Sequence, residues 1–136
     1  MPTVTVTRRV HFNAAHRLHN PALTDEENRR IFGACNNPNY HGHNYELEVS
    51  VTGEIDPVMG YVVDLGNVKA IVEELVLSRL DHRNLNLDVP DFAELNPTTE
   101  NLVVVIWRLL EGRLPGTLTR LVLWETPRNS VSYEGR

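Results

Sequence analysis

The sequence has one cysteine in 136 residues and no apolar run approaching the roughly 20 residues that a membrane-spanning helix needs. One cysteine cannot form an internal disulfide, so stability must come from a hydrophobic core, which a chain of this length can bury. The N-terminus carries no secretory signal pattern. We therefore expect one domain over residues 1–136, located in the reducing cytoplasm and without a membrane partner.

The sequence also has fewer positive than negative residues. It contains 13 Lys and Arg and 18 Asp and Glu, which gives a formal net charge of −5. This balance argues against nucleic acid as a partner. A small anionic ligand is not excluded, since local charge matters more than the total. The first quarter of the chain contains five arginines, namely Arg8, Arg9, Arg17, Arg29 and Arg30. They are either a solvated surface or candidates for binding an anion.

Two segments alternate apolar and polar residues with the period of a β-strand. The first runs from Thr3 to His16 and the second from about His41 to Ile55. The inward face of the second strand carries His41, His43, Tyr45, Leu47, Val49 and Val51. Residues 17–40 have no such period, so they are predicted to form a long loop, of a kind that is usually functional or disordered. The cysteine at its end favours function.

Two helices and two further strands are predicted in the rest of the chain. Asp64 is a suitable N-cap for a helix over about 65–80, and a second helix is predicted to start near Pro97. Closing strands are predicted at about 117–125 and 130–133. This β-β-α-α-β-β order predicts the α+β class, with an antiparallel four-stranded sheet and two helices on one face.

Three histidines are predicted to meet at one end of this sheet. His41 and His43 are two residues apart on a strand, so their side chains share a face. If the first two strands pair as an antiparallel hairpin, His16 at the end of the first lies beside them. Three imidazoles hold zinc with one coordination position open, which is typical of catalytic rather than structural zinc. His11 points to the opposite face and His19 lies in the loop, so neither is expected to bind the metal.

Cys35 precedes the histidine pair and admits three interpretations. It could be a small buried apolar residue, or the fourth ligand of a closed structural zinc site. It could also be a thiolate near the metal that acts as a general base, with its pKa lowered by a cationic environment. Spacing alone does not choose between the last two.

Two further groups of polar residues could take part in chemistry. Asp81 and His82 are adjacent in a polar connection, where they are either a solvated pair or a proton relay in which the carboxylate orients the imidazole. Glu125 follows Leu121 and Leu123 on the same face of a strand. A carboxylate on an apolar face needs a partner, which could be an arginine or a ligand with adjacent N–H donors.

Segments across nearly the whole chain resemble the family of 6-pyruvoyl tetrahydropterin synthases and the related 6-carboxytetrahydropterin synthases. The matching segments are FNAAHRL at 12–18, DEEN at 25–28, CNNPN at 35–39, HGHNY at 41–45, GEIDP at 53–57, LDH at 80–82, PTTEN at 97–101 and ET at 125–126. Because they occur in order along the chain, the similarity is more specific than the His-Gly-His pair alone.

The resemblance implies a zinc site and a set of catalytic and substrate-binding groups. The implied zinc ligands are His16, His41 and His43. The implied catalytic residues are Cys35 as proton acceptor, Asp81 and His82 as the relay, and Glu125. The implied anchors of the pterin's amino-pyrimidine edge are Glu125, Thr98 and Thr99.

The implied reaction converts 7,8-dihydroneopterin triphosphate to 6-pyruvoyl tetrahydropterin with elimination of triphosphate, as in a tetrahydrobiopterin-type pathway. Such a mechanism needs the fourth metal position for the substrate, which favours Cys35 as base over Cys35 as ligand. The N-terminal arginines become candidates for binding the triphosphate. A triphosphate also binds Mg²⁺, so this ion is a second candidate cofactor.

Two other functions remain open. The 6-carboxytetrahydropterin synthases of queuosine biosynthesis use the same substrate but release acetaldehyde, and they commonly have a shorter spacing between the cysteine and His-Gly-His. Five residues separate Cys35 from His41 here, which favours the pyruvoyl type, although Tyr40 stands where that type is expected to have glycine. The third function is a non-catalytic, zinc-stabilised binding module. The joint presence of the thiol, the relay and the strand carboxylate argues against it.

The resemblance also implies the tunnelling fold, in which small sheets from three subunits form a barrel and two barrels stack as a hexamer. Active sites would then lie between subunits, which would bring Cys35 and His82 together from separate segments.

Overall fold

The computed structural model describes residues 1–136 and has the predicted α+β character. Its strands are β1 (Thr3–His16), β2 (His41–Glu54), β3 (Arg83–Asn84), β4 (Thr117–Thr126) and β5 (Asn129–Tyr133). Its helices are α1 (Asp25–Phe32), α2 (Leu65–Val72), α3 (Ser78–Leu80), α4 (Leu85–Asp88) and α5 (Thr99–Leu110). None of these helices is long and apolar enough to cross a membrane.

β1 and β2 form the long antiparallel pair that the alternating sequence predicts. Their register runs without a break from Thr3 opposite Glu54 to His16 opposite His41. One face of the pair is apolar, and the other carries hydroxyl groups that bond across the strands, such as Thr5 Oγ1 to Thr52 Oγ1 at 2.7 Å. Since side chains alternate between the two faces, this register fixes which residues lie under the helices. β4 and β5 continue the antiparallel pairing beyond β2.

The prediction of a four-stranded antiparallel sheet is wrong, because the sheet has five strands in the order β3-β1-β2-β4-β5 and is mixed. β3 lies parallel to the end of β1, with Arg83 opposite Ala14. The backbone N–H of His82 donates to the Asn13 carbonyl at 2.6 Å, and the Asn13 N–H donates to Asp81 Oδ1 at 2.9 Å. These two bonds dock the chain onto the free edge of β1. A strand of two residues has no periodicity that a sequence pattern could reveal.

The segment predicted as a long loop contains a helix, α1. Thr24 Oγ1 accepts from the Glu27 N–H at 3.1 Å, and Glu27 Oε1 accepts from the Thr24 N–H at 3.1 Å, which forms a capping box. The helix was not predicted because it has no apolar stripe, and its one buried residue is Asn28. A short 3₁₀ turn, Gly33–Asn36, follows α1 and carries Cys35.

Both long helical segments are present and cover the apolar face of the sheet. The segment predicted over 65–80 consists of α2, a π-helical turn at Glu73–Leu77, and α3. The side chains buried between the two layers are Phe12, Tyr45, Leu47, Val49, Leu121 and Leu123 from the sheet and Val68, Val72, Leu102, Ile106 and Leu110 from the helices. The N-terminus of α5 lies over the end of the sheet where β1 ends and β2 begins. It is held there by the Pro97 carbonyl, just before α5, which accepts a hydrogen bond from the ring of His16. That end of the sheet is the candidate site.

Candidate metal centre and active site

The three predicted histidines meet at this end of the sheet. His16 is the last residue of β1 and lies opposite His41, the first residue of β2, while His43 is two residues further along the same face. One ring nitrogen from each lies within 4.8 Å of the others, and His16 Nε2 is 3.1 Å from His41 Nε2. Strand parity and antiparallel pairing alone therefore bring these imidazoles together, as predicted.

The hydrogen bond of His16 fixes which of its nitrogens faces the centre. Its Nδ1–H donates to the Pro97 carbonyl at 2.7 Å, and the side chain is fully buried. A carbonyl can only accept, so Nδ1 carries the proton and Nε2 presents its lone pair to the other two rings. A backbone carbonyl that orients a metal-binding histidine in this way is a common feature of metal sites.

The other two histidines have buried nitrogens without a partner, His41 Nδ1 and His43 Nε2. Buried polar atoms are nearly always bonded in folded proteins, so such exceptions indicate a missing ligand or ion. Three convergent imidazoles are a donor set suited to a divalent transition metal and typical of zinc. The centre is therefore suited to a metal ion.

Burial is the main reason why the pKa values of two of these histidines lie below their ordinary value. For His16 the hydrogen bond to Pro97 opposes this effect, whereas the neighbouring His41 and His43 add to it. For His41 burial again has the largest effect, followed by the charge of His43. Neutral imidazoles keep the lone pairs that a metal ion needs.

These lowered pKa values predict that the metal-free protein loses stability in mild acid. The unfolded chain binds protons at these histidines below about pH 6.5, where the folded chain does not, so the free energy of unfolding falls as the pH decreases through this range. Thermal unfolding of metal-free protein from pH 7.5 to pH 5 should show a falling Tm. A His11→Gln variant, changed at an exposed residue on the opposite sheet face, should show the same decrease. A Tm independent of pH would contradict this account.

Cys35 and Glu125 share a cavity beside the histidines. The cavity has a volume of about 260 Å³, and its lining includes both side chains together with Thr98, Thr99 and Val131. Glu125 Oε2 accepts a hydrogen bond of 2.5 Å from Thr99 Oγ1, and Glu125 Oε1 lies 3.9 Å from His43 Nε2. The Glu125 carboxylate thus lies between the thiol cavity and the histidine centre, with one oxygen that has no donor close enough for a hydrogen bond.

The thiol of Cys35 is half-buried and free. Burial raises its pKa above the ordinary value, and the charge of Glu125 raises it further. Both effects favour the neutral thiol, in contrast to the lowered pKa that the base hypothesis requires. A base at this position therefore needs a positive charge nearby, which a metal ion at the histidine centre would supply.

Asp81 and His82 lie together but not in the cavity of Cys35. Asp81 Oδ1 is 3.0 Å from His82 Nδ1, and the His82 side chain is 76% exposed. His82 lines a different cavity, of about 530 Å³, that also reaches Asn13 and His43. The backbone of His82 has a φ of 60°, in the left-handed region that residues other than glycine rarely adopt. Such backbone strain is concentrated at functional sites.

The two threonines at the start of α5 have different roles. Thr98 is the N-cap, and its Oγ1 accepts from the Asn101 N–H at 3.1 Å. Thr99 Oγ1 donates to Glu125 instead, and so holds the carboxylate in place. Thr98 therefore stabilises the helix end, whereas Thr99 orients a candidate site residue.

Two N-terminal arginines have different surroundings. Arg9 forms an ion pair with Glu46, and its guanidinium lies 5.9 Å from the ring centroid of Trp124, on the face opposite the helices. Arg17 lies nearer the histidines, where its Nε–H donates to the Asn36 carbonyl at 3.0 Å. It lines a cavity of about 420 Å³ together with Tyr40.

Tyr40 stands in the left-handed region, with a φ of 67°. This conformation favours glycine, which is the residue that the resemblance leads us to expect at this position. The chain therefore keeps the backbone turn before His41 but places an aromatic side chain on it. Tyrosine in this conformation costs about 1 kcal/mol.

Tyr45 is a residue that the sequence analysis placed on the inner face but did not include among the site residues. Its side chain is fully buried, and its hydroxyl has no hydrogen-bond partner. Burial raises its pKa well above the ordinary value, and the charges of Glu125 and Cys35 raise it further, so the phenol is neutral. The sequence could have indicated that Tyr45 lies next to the site, because residues 41, 43 and 45 share one face of a strand.

The fold and the histidine centre place this chain in a class, the α+β proteins with a three-histidine site suited to a metal ion. Comparison with known proteins then identifies the family. The family model described as 6-pyruvoyl tetrahydropterin synthase matches residues 5–136. The chain therefore belongs to the 6-pyruvoyl tetrahydropterin synthase family.

Individual relatives agree with this assignment. The chain is 50% identical over 131 residues to the 6-pyruvoyl tetrahydrobiopterin synthase of Homo sapiens, across 96% of this chain and 90% of that protein. It is 46% identical over 136 residues to the Drosophila melanogaster enzyme of the same name, across 98% and 81% of the two chains. The structure of 6-pyruvoyl tetrahydropterin synthase from Caenorhabditis elegans matches with a TM-score of 0.93 at 43% identity, over 100% of this chain and 98% of that one.

Proposed function

We propose that this chain is a zinc-dependent lyase that converts 7,8-dihydroneopterin triphosphate to 6-pyruvoyl tetrahydropterin with elimination of triphosphate. The observation that carries the proposal is the arrangement of three convergent histidines beside a cavity that contains Cys35 and Glu125, in a chain 50% identical to a 6-pyruvoyl tetrahydrobiopterin synthase. Zinc is the proposed metal because three imidazoles with an open position are typical of catalytic zinc.

Glu125 is the proposed anchor for the pterin ring. Its Oε2 accepts from Thr99 with one lone pair and Oε1 has no donor, so both oxygens can still accept from a ligand. A carboxylate accepts side by side from two adjacent N–H groups, and an amino-pyrimidine edge presents such a pair. Glu125 Oε1 lies 3.9 Å from His43 Nε2, so a ring bound there would lie beside the histidines, with its side chain at the end of the ring away from the carboxylate.

Cys35 is the proposed proton acceptor, in the same cavity as the carboxylate. Bound zinc would act as a Lewis acid that acidifies neighbouring C–H and O–H bonds of the substrate side chain. The positive charge at the histidines would also oppose the burial and the Glu125 charge that raise the pKa of the thiol. The roles of Cys35 and Glu125 thus depend on their shared position next to the centre.

The relay of Asp81 and His82 is proposed to act in the cavity of a neighbouring subunit. The exposed His82 ring and the Cys35 thiol line different cavities of one chain. β5 is an edge strand, and β1 is paired with β3 only at Ala14 and Ala15, so two sheet edges are available for pairing with other copies. This supports self-association to a trimer and hexamer, in which the relay of one copy approaches the thiol of the next.

Sites shared between subunits predict that two inactive variants restore activity when mixed. Cys35→Ala and His82→Ala proteins are each expected to be inactive, but unfolding and refolding them together should give about one quarter of the wild-type activity. In a random cyclic assembly, about one site in four combines an intact thiol with an intact imidazole. Refolding each variant alone is the control. No recovery from the mixture would place both groups of a site in one chain.

Two alternatives were considered for the site. A 6-carboxytetrahydropterin synthase would use the same substrate, but the five residues between Cys35 and His41 favour the pyruvoyl type. A non-catalytic, zinc-stabilised module would need a fourth protein ligand to close the zinc site. Cys35 shares its cavity with Glu125 and the start of α5, and its thiol lies outside the cluster of ring nitrogens formed by His16, His41 and His43.

The proposal is tested by following triphosphate release. Protein loaded with zinc and protein treated with a chelator are incubated with 7,8-dihydroneopterin triphosphate, and inorganic triphosphate is measured by phosphorus NMR. We expect release from the zinc-loaded protein, little from the chelated protein, and recovery when zinc is returned. Equal release from both preparations would exclude a zinc-dependent reaction, and none from either would exclude the proposed lyase.

A further inference from the structure

Asn36 is one of five buried polar or charged residues of this chain, and neither the fold nor the site described above uses its side chain. It is 3% exposed and follows Cys35 in the 3₁₀ turn after α1. Buried polar side chains are hydrogen-bonded in native proteins, and their bonds show which segments they join. The bonds of Asn36 lead to the segment that directly follows His16, one of the three histidines of the metal centre.

Two hydrogen bonds of the Asn36 amide fix its orientation. Its Nδ2 donates to the Leu18 carbonyl at 2.7 Å and lies 3.0 Å from His19 Nδ1. Because a carbonyl can only accept, the atom that faces Leu18 is the amide nitrogen, and His19 Nδ1 must then accept from it as well. The His19 ring therefore carries its proton on Nε2. One side chain thus binds two consecutive residues of the segment after His16.

Two further hydrogen bonds join the same two segments. The Leu18 N–H donates to the Cys35 carbonyl at 2.8 Å, and Arg17 Nε–H donates to the Asn36 carbonyl at 3.0 Å. Residues 17–19 and 35–36 are therefore connected by four hydrogen bonds, and we refer to these bonds as the thiol clamp. None of the four involves the sulfur atom, so the thiol itself stays free.

The thiol clamp fixes the turn relative to the metal centre because residues 17–19 are themselves held in place. His16 is fully buried, and its ring donates to the Pro97 carbonyl. Three residues later, the His19 N–H donates to Asn96 Oδ1 at 3.1 Å, so the segment is held at both ends. The turn that carries the thiol is therefore attached to a segment whose position is set by a metal ligand.

We propose that Asn36 is a positioning residue that holds the Cys35 thiol beside the metal centre. This inference rests on the proposed function, in which Cys35 accepts a proton from a substrate next to the zinc ion. A misplacement of about 1 Å can lower a rate by about 10²-fold, so the geometry of the base has a direct effect on turnover. The thiol clamp supplies that geometry through the residue next to the base.

The test removes the Asn36 amide while keeping the size of the side chain. Asn36→Leu has a similar volume but no donor for Leu18 or His19. The matched control is Asn39→Leu, the same change at an exposed asparagine of the same segment. Zinc content, Tm and the steady-state rate of triphosphate release are measured for each protein. The rate of alkylation by iodoacetamide at pH 7, with and without zinc, reports on Cys35 alone because the chain has no other cysteine.

We expect zinc to accelerate alkylation of the wild type about tenfold, because a nearby divalent cation favours the thiolate. In Asn36→Leu this acceleration should fall to about threefold or less, because the thiol is no longer held near the ion. Zinc content should be unchanged, kcat should fall about 10- to 100-fold, and KM should stay within about twofold, since the ring anchor at Glu125 is intact. Asn39→Leu should match the wild type in every measurement.

A second pair of variants keeps the test decisive if Asn36→Leu does not fold. His19→Leu removes the acceptor of one amide bond, whereas His19→Asn replaces it with an Oδ1 atom at the position of the histidine Nδ1. We expect His19→Leu to lose part of the zinc acceleration and about threefold to tenfold in kcat, as for one lost hydrogen bond, and His19→Asn to recover both. Equal values in these two variants would contradict the inference.

Three other results would overturn it. A lower Tm of Asn36→Leu with wild-type zinc acceleration and kcat would make Asn36 a purely structural residue, and loss of zinc from this variant would make it part of the metal site. Zinc that slows alkylation of the wild type, or leaves it unchanged, would show that Cys35 is a ligand or is not near the ion. If the alkylation results are as expected but the wild type releases no triphosphate, the proposed function fails while the position of the thiol stands.

Discussion

A Cys35→Ala variant is expected to keep its zinc and lose about 10³-fold in kcat, a loss typical of removing a general base. The half-buried thiol lies in the cavity with Glu125 and outside the cluster of ring nitrogens formed by the three histidines. Its removal should therefore take away the proton acceptor without opening the metal site. The measurements are zinc content by elemental analysis and the steady-state rate of triphosphate release.

A Cys35→Ser variant is the closest control, since it preserves the size of the side chain but replaces the thiol with a group that hardly ionises at neutral pH. It should keep zinc and be nearly as inactive as the alanine variant. Loss of zinc from both variants would instead make the thiol the fourth ligand of a closed site. Near-normal rates in Cys35→Ala would remove Cys35 from the mechanism.

A His43→Ala variant is expected to lose both its metal and its activity, with kcat/KM lower by at least about 10³-fold. Two imidazoles bind a divalent ion much less tightly than three, and the Lewis acid is then absent at ordinary zinc concentrations. The fold should survive, because the remaining core of the sheet does not include this side chain. Equilibrium dialysis against zinc, circular dichroism and the triphosphate assay measure these three properties.

The matched control for His43→Ala is His11→Ala, which removes an imidazole from an exposed position on the opposite face of the same strand pair. It should bind zinc and turn over substrate like the wild type. If His43→Ala retained full zinc occupancy and activity, the three-histidine centre would not be the catalytic metal site.

The convergence of the three histidines is the part of the site that could be derived from the sequence with least ambiguity, because it follows from strand parity. The alternating pattern gave β1 its observed bounds, Thr3–His16, and antiparallel pairing then set His16 opposite His41. Because each of these steps depends only on the period of a strand and the direction of pairing, no family knowledge was needed to bring the three histidines together.

Features without a periodic pattern could not be predicted in the same way. β3 exists because Asp81 and His82 bond to Asn13, a contact between segments nearly 70 residues apart that no local sequence pattern encodes. α1 is a polar helix set by its capping box, so it has no apolar stripe to reveal it. For the same reason, residues far apart in sequence, such as Cys35 and His82, could be proposed as partners only through the resemblance.

The orientation of side chains within the site could not be predicted from the sequence either. Thr98 and Thr99 are adjacent and chemically alike, yet one caps a helix and the other holds Glu125. The left-handed backbone of Tyr40 became visible only in the structure, where it agrees with the glycine that the resemblance implies at this position. These details depend on the tertiary packing around the N-terminus of α5 and the turn before β2.

The most direct test of the central claim is the identity of the product. Zinc-loaded protein is incubated anaerobically with 7,8-dihydroneopterin triphosphate, and the pterin product is identified by mass spectrometry while the headspace is analysed for acetaldehyde. The account predicts 6-pyruvoyl tetrahydropterin, with one triphosphate released per pterin and no acetaldehyde. Formation of 6-carboxytetrahydropterin with acetaldehyde, or recovery of the substrate unchanged, would contradict it.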